Sequence, residues 1–176
     1  MVNKLLVTGG IRSGKTGVAE QRALAATSKV VYVATATAGD DEMAYRIKRH
    51  QSLRPEDWGL VEEPVRLAQV LKGFRVQAAQ TPMLLIDCMS LWLSNLLIAG
   101  DDVFAQERQA LLDQLEAYPG SLIIVTNEVG LGTIGMDPLT RRFADELGWL
   151  NQDLARLCDE VVMSVAGLPL VLKAGG

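Results

Sequence analysis

The chain has 176 residues, 49% hydrophobic and 5% aromatic, and its 17 Lys and Arg against 21 Asp and Glu leave a net charge of −4 at pH 7. A chain of this length buries an aliphatic core without staples, and its two cysteines, Cys88 and Cys158, have neither disulfide-framework nor metal-ligand spacing, so both are expected as buried thiols. An acidic total with no block of Lys or Arg argues against nucleic acid, and no apolar run is long enough for a membrane span or signal peptide, which leaves a soluble, cytoplasmic protein that must hold any anionic ligand by local geometry.

In chain order, the apolar run Lys4–Thr8 predicts a strand, Gly9–Lys15 a glycine-rich loop and Thr16–Ala26 a helix. Val30–Thr35 reads as the second strand, followed by an irregular Ala36–Asp40 and a helix from Asp41 to about Leu53, which Pro55 ends. Arg54–Glu63 reads as irregular, Val65–Ala79 as a helix and Met83–Asp87 as a strand. Helices are then expected over Ser90–Ala99 and Phe104–Tyr118, and a strand over Ser121–Thr126. After the irregular Asn127–Asp137 comes the helix Leu139–Leu157. Asp137 and Pro138 are placed as its cap and first turn, and Phe143, Leu147, Leu150, Leu154 and Leu157 form one stripe. Glu160–Val165 and a short Pro169–Lys173 complete the strands, all read as buried on both faces. The alternation, with no repeat or linker, predicts one α/β domain over residues 1–176, a P-loop NTPase-type, RecA-like, mostly parallel sheet with helices on both faces. In such a sheet, loops that follow strand C-termini line the ligand-binding edge.

Gly9-Gly10-Ile11-Arg12-Ser13-Gly14-Lys15-Thr16 matches G-x-x-x-x-G-K-[ST] between a strand and a helix, the context the motif requires. The glycines let successive backbone N–H groups face one concavity, the helix N-terminus adds positive potential, and Lys15 brings a point charge to the outer phosphates. Thr16 and Asp87, the acid that ends the strand Met83–Asp87, are the expected Mg²⁺ ligands. A regulatory GTPase is disfavoured. Asn3-Lys4-Leu5-Leu6 lacks the Asp of N-K-x-D, and the D-x-x-G match Asp145–Gly148 falls inside a helix.

The chain has one histidine. Met43, Ile47 and His50 are spaced i, i+4, i+7, which fits a histidine at the edge of an apolar stripe. Arg46, Lys48, Arg49 and Arg54 also make this the most basic short segment, suited to a triphosphate. A neutral imidazole, with an unperturbed pKa of about 6.5, is a competent nucleophile at phosphorus, so covalent nucleotidylation is the other reading.

Together, residues 9–16, the pattern Asp-Asp-Glu-Met-x-x-Arg-Ile-x-x-His-x-x-x-Arg-Pro-x-x-Trp over 40–58, Glu62, and Thr-Asn-Glu-Val-Gly-x-Gly over 126–132 resemble the bifunctional adenosylcobinamide kinase/adenosylcobinamide-phosphate guanylyltransferase family. Arg142, Phe143, Asp145, Gly148, Asn151, Gln152, Leu154 and Ala155 look like its C-terminal half. The resemblance implies phosphorylation of adenosylcobinamide with ATP or GTP, then transfer of GMP from GTP to the resulting phosphate in cobalamin biosynthesis, by a homotrimer. It implies that His50 is the guanylylated residue; some members have a second histidine where this chain has Arg49. It also implies nucleotide contacts from Gly9–Thr16, from Ala34, Thr35 and Ala36, from Gln51, Ser52, Leu53 and Arg54, from Glu62 and from Asp87, which is Glu in some members. Thr133–Pro138 stands where many members have Ile-Val-Pro. A carboxylate at Glu62 suits the N1–H and N2–H₂ edge of guanine, though an ordinary surface Glu fits the sequence equally. Asn127 and Glu128 follow a strand at the ligand edge, where shaping the site and forming a turn are both open. A small-molecule kinase with a structural His50, or a partner-dependent nucleotide switch, are the alternatives.

Overall fold

The structure, a computed structural model, describes residues 4–37, 55–75 and 81–175. The expected helix from Asp41 to about Leu53, with His50, lies outside the described residues. Seven strands, β1 (Lys4–Gly9), β2 (Val30–Ala34), β3 (Gly59–Glu62), β4 (Met83–Asp87), β5 (Leu122–Val125), β6 (Glu160–Val165) and β7 (Leu168–Lys173), form one sheet in the order β3-β2-β4-β5-β1-β6-β7. All neighbours are parallel except β6 and β7. The helices are α1 (Lys15–Leu24), α2 (Leu67–Phe74), α3 (Met89–Ala99), α4 (Asp101–Ala117) and α5 (Pro138–Leu157).

Strand side chains alternate between the two faces. Leu6, Val31, Val33, Leu84, Ile86, Leu122 and Ile124 pack with buried residues of α2, α3, α4 and α5 in the larger core. Leu5, Val7, Tyr32, Leu85, Ile123, Val125 and Val162 pack with Val18, Ala19 and Ala23 of α1 in the smaller. The expected two-sided cover is therefore present. Cys88 and Cys158 are buried and unpaired as expected. Burial pushes the Cys158 thiol up to about 12, with Asp159 adding to the shift; burial and the neighbouring Asp87 raise Cys88.

The α5 stripe is as predicted, with Leu147, Leu150 and Leu154 inaccessible. Asp137 caps the helix by accepting from the N–H groups of Leu139 (3.0 Å) and Thr140 (2.9 Å). Helix α3 turns its apolar face mainly to the core. Trp92 is fully buried there and donates its indole N–H to Val65 O at 2.7 Å. Trp92→Ala removes the ring and orphans that carbonyl, an expected loss of about 3–5 kcal/mol and a Tm lowered by roughly 6–20 °C in thermal unfolding.

Two expectations need correction. Part of the stretch read as irregular, Arg54–Glu63, contains β3, an edge strand of only four residues whose alternate side chains Leu60 and Glu62 face outward, too short and too polar to register as a strand. The reading of every predicted strand as buried on both faces fails for β7, whose residues are all exposed at the antiparallel edge opposite β3.

Candidate active site

Register places the functional ends of the strands together. Ala34 at the end of β2 pairs with Glu62 on one side and with Asp87 on the other. Asp87 in turn pairs with Val125 of β5, and β5 lies beside β1, which runs into the phosphate loop. Gly9–Thr16, Ala34–Ala36, Glu62 and Asp87 thus share one edge of the sheet, at strand C-termini as expected for an α/β fold. Four strand spacings, about 19 Å, separate β3 with Glu62 from β1 with the loop. Glu62 is exposed at the end of the edge strand.

The loop's shape depends on its glycines. A Cβ on Gly9 would stand 2.5 Å from Ser13 Oγ and 2.7 Å from Ser164 O, and Gly14 has φ +90°, where a Cβ would lie 2.9 Å from Gly167 Cα. The second contact comes from an element that sequence reasoning did not connect to the loop. β6 and β7 are joined by a two-residue turn, Ala166-Gly167, both at positive φ, as tight hairpins require. The tip of that hairpin holds the loop: Gly167 N–H and the Ser164 hydroxyl both donate to Ser13 O, at 2.8 and 2.7 Å. Lys15 folds over the loop, with Nζ 3.2 Å from Gly10 O.

Thr16 and Asp87, predicted to share a metal ion, are in contact: the Thr16 hydroxyl lies 3.1 Å from Asp87 Oδ2. The Tyr32 hydroxyl donates to the same oxygen at 2.8 Å, fixing the carboxylate from the α1 face of the sheet. A hydroxyl and a carboxylate beside a phosphate loop form a hard-oxygen donor set that fits Mg²⁺. Ser13 Oγ and Asn127 Oδ1 are buried with no hydrogen-bond partner among the described residues, a cost that a polar ligand would relieve.

Thr35 is inaccessible and holds the end of β2 to the turn after β4: its hydroxyl donates to Cys88 O (2.7 Å) and accepts from Cys88 N–H (2.8 Å). Asn95 of α3 donates to Thr35 O and to Pro64 O, each at 3.0 Å, so it holds the ends of β2 and β3 in place. Tyr32, Asn95, Ser164 and Gly167 are the supporting residues that sequence reasoning missed. Asn95, a polar residue within an apolar helix, was the one visible signal. Gln51, Ser52, Leu53 and Arg54 lie outside the described residues with His50.

On the far side of the loop, Glu128 N–H donates to Gly9 O at 3.1 Å. Glu128 Oε1 accepts from the Thr8 hydroxyl at 2.9 Å and from Asn151 Nδ2 at 3.1 Å. Asn127 donates to Ser90 Oγ at 2.6 Å. These contacts tie both residues to their neighbours at the ligand edge.

Known proteins share both the sequence and the fold. The sequence model of the cobinamide kinase / cobinamide phosphate guanyltransferase family matches residues 5–172. The bifunctional adenosylcobalamin biosynthesis protein CobP of Pseudomonas aeruginosa is 47% identical over 169 residues, covering 96% of each chain. The bifunctional adenosylcobalamin biosynthesis protein CobU of Escherichia coli is 36% identical over 183 residues, covering 96% of this chain and 99% of its own. Among solved structures, the assembled ATPase EscN of the enteropathogenic E. coli type III secretion system matches with a TM-score of 0.62 at 14% identity, over 99% of this chain. This chain spans 48% of EscN's length, and that likeness is one of fold.

Proposed function

This chain belongs to the cobinamide kinase / cobinamide phosphate guanyltransferase family, and from that premise we propose that both reactions use the one phosphate loop at this edge of the sheet. It is a bifunctional enzyme of adenosylcobalamin nucleotide-loop assembly, acting as a kinase and as a guanylyltransferase. The observation that carries the shared-site reading is the Thr16–Asp87 contact beside Lys15, which puts a metal-competent carboxylate at the phosphate loop.

In the kinase step the triphosphate of ATP or GTP lies in Gly9–Thr16, where loop N–H groups and Lys15 take up charge, and the aminopropanol hydroxyl of adenosylcobinamide attacks the γ-phosphorus. Thr16 and Asp87 would hold Mg²⁺, which supplies positive charge to the phosphate oxygens. In the transfer step an imidazole nitrogen of His50 attacks the α-phosphorus of GTP, the N–P bond forms and pyrophosphate leaves. A phosphate oxygen of adenosylcobinamide phosphate then displaces the imidazole, giving adenosylcobinamide-GDP. Lys15 and the loop stabilise the leaving pyrophosphate as they stabilise the leaving diphosphate in the first step. Ala34, Ala36, Gln51, Ser52, Leu53 and Arg54 line the nucleotide, buried Thr35 braces the strand end behind them, and Glu62, across the sheet edge from the loop, accepts from the guanine N1–H and N2–H₂ groups.

The reading includes a cytoplasmic homotrimer with no nucleic-acid partner. No helix among the described residues is long and apolar enough to cross a membrane. Exposed Leu168, Leu170, Val171 and Leu172 on β7 supply an apolar edge suited to a second copy.

GTP labelled at the α-phosphate tests the proposal. The full-length protein is expected to form an acid-labile, alkali-stable adduct, the behaviour of a phosphoramidate, and to discharge it into product when adenosylcobinamide phosphate is added. Folded, GTP-binding protein that forms no adduct would overturn the covalent route and leave a kinase in which His50 is structural.

A further inference from the structure

We propose that Glu128 is the general base of the kinase step, a proposal that rests on the kinase reading above. β5 lies between β4, which ends in Asp87, and β1, which opens the phosphate loop, so the chain leaving β5 passes directly beside the loop. Thr126 N–H donates to Val7 O (2.9 Å) and Glu128 N–H to Gly9 O (3.1 Å), which anchors the Glu128 backbone against the first residue of the loop.

The carboxylate is oriented on one side only. Oε1 accepts from Thr8 and Asn151, and Asn151 is itself locked, donating to Asn127 O at 3.0 Å and accepting from the Thr126 hydroxyl at 2.7 Å. Thr8, Thr126 and Asn151 are all buried. Oε2 has no hydrogen-bond partner among the described residues, and no ion pair among them involves Glu128. A fixed carboxylate with no ion pair among the described residues, beside a site for a highly charged triphosphate, is electrostatically unfavourable if its only task is to hold the strands. A glutamine would make the same two contacts without the charge. Accepting a proton is the task that needs the charge.

Asp87 has a different role, because it lies against the Thr16 hydroxyl, the other donor of the pair that would hold Mg²⁺. In the step assigned to Glu128, the O–H bond of the aminopropanol hydroxyl breaks and its proton passes to Oε2. The freed oxygen forms a bond to the γ-phosphorus. The bond from that phosphorus to the β,γ-bridging oxygen breaks, its electron pair leaving on the nucleoside diphosphate. Glu128 then releases the proton to water.

Glu128→Gln tests the assignment, because the amide oxygen still accepts from Thr8 and Asn151 while the base is gone. Adenosylcobinamide phosphorylation, GMP transfer to supplied adenosylcobinamide phosphate, and nucleotide binding are measured separately on the full chain. The expected result is a kinase kcat lowered by roughly 10²–10⁴-fold, with nucleotide KM and the transfer rate each within about threefold of wild type. A kinase kcat within about threefold of wild type would assign Glu128 to structure, as would kinase and transfer falling together.

Wild-type protein that transfers GMP but never phosphorylates adenosylcobinamide would overturn the kinase reading and the base with it, whereas an active wild type beside an equally active Gln variant overturns the base alone.

Discussion

His50→Asn is expected to abolish the guanylyl adduct and GMP transfer while adenosylcobinamide phosphorylation stays within about threefold of wild type. Asparagine keeps a polar side chain of similar reach but offers no nucleophilic lone pair, because its amide nitrogen is conjugated with its carbonyl. No other histidine can substitute. Nor can a thiol, since Cys88 and Cys158 are buried and burial raises both above the ordinary thiol range, leaving them protonated at neutral pH. Among the described residues, the contacts that hold the phosphate loop and Asp87 come from Tyr32, Ser164 and Gly167, outside the segment that carries His50, which is why phosphorylation should survive. Measured with α-labelled GTP and, separately, with γ-labelled ATP, an adduct that persists in the variant would place the nucleophile elsewhere. Loss of both activities would make His50 part of the fold or of the triphosphate site.

Lys15→Ala should have a different signature, lowering both activities by about 10²–10³-fold with little change in Tm. Lys15 is half-buried at the start of α1, and its ammonium donates to Gly10 O within the loop, so its removal opens no core cavity. What is lost is a positive charge at phosphates that carry the developing negative charge in either reaction, the diphosphate in one and pyrophosphate in the other. Steady-state assays of the two half-reactions beside a thermal melt give the comparison. A variant that loses only one activity would show that the two reactions do not share the triphosphate site. With His50→Asn and Glu128→Gln, the three substitutions should give three distinct patterns: transfer lost, phosphorylation lost, both lost.

Much of the site was legible because its chemistry is local in sequence. Gly9–Thr16 is one continuous stretch whose glycines answer to backbone geometry, and Asp87 ends a strand of five residues whose apolar run is plain. The cap at Asp137 and the stripe on α5 were legible for the same reason, since a helix writes its period into its own segment. β3 was not, because a four-residue edge strand with exposed Leu60 and Glu62 owes its existence to pairing with β2. Arg54 to Glu63 by itself contains nothing that specifies that partner.

By itself the sequence determined the class of fold, the phosphate-loop motif between a strand and a helix, and the family, all of which follow from contiguous motifs and from a match that runs nearly end to end. Tertiary structure alone decided which distant residues support them. Ser164 and Gly167 hold Ser13 across about 150 residues of chain, Tyr32 reaches Asp87 from the neighbouring strand, and Thr8 meets Glu128 only because β1 and β5 are adjacent in a sheet whose order differs from chain order. The reason is physical. A hydrogen bond between side chains far apart in sequence depends on strand order and register, which are set by burying both faces of the whole sheet at once and leave no periodic trace in either partner's own segment.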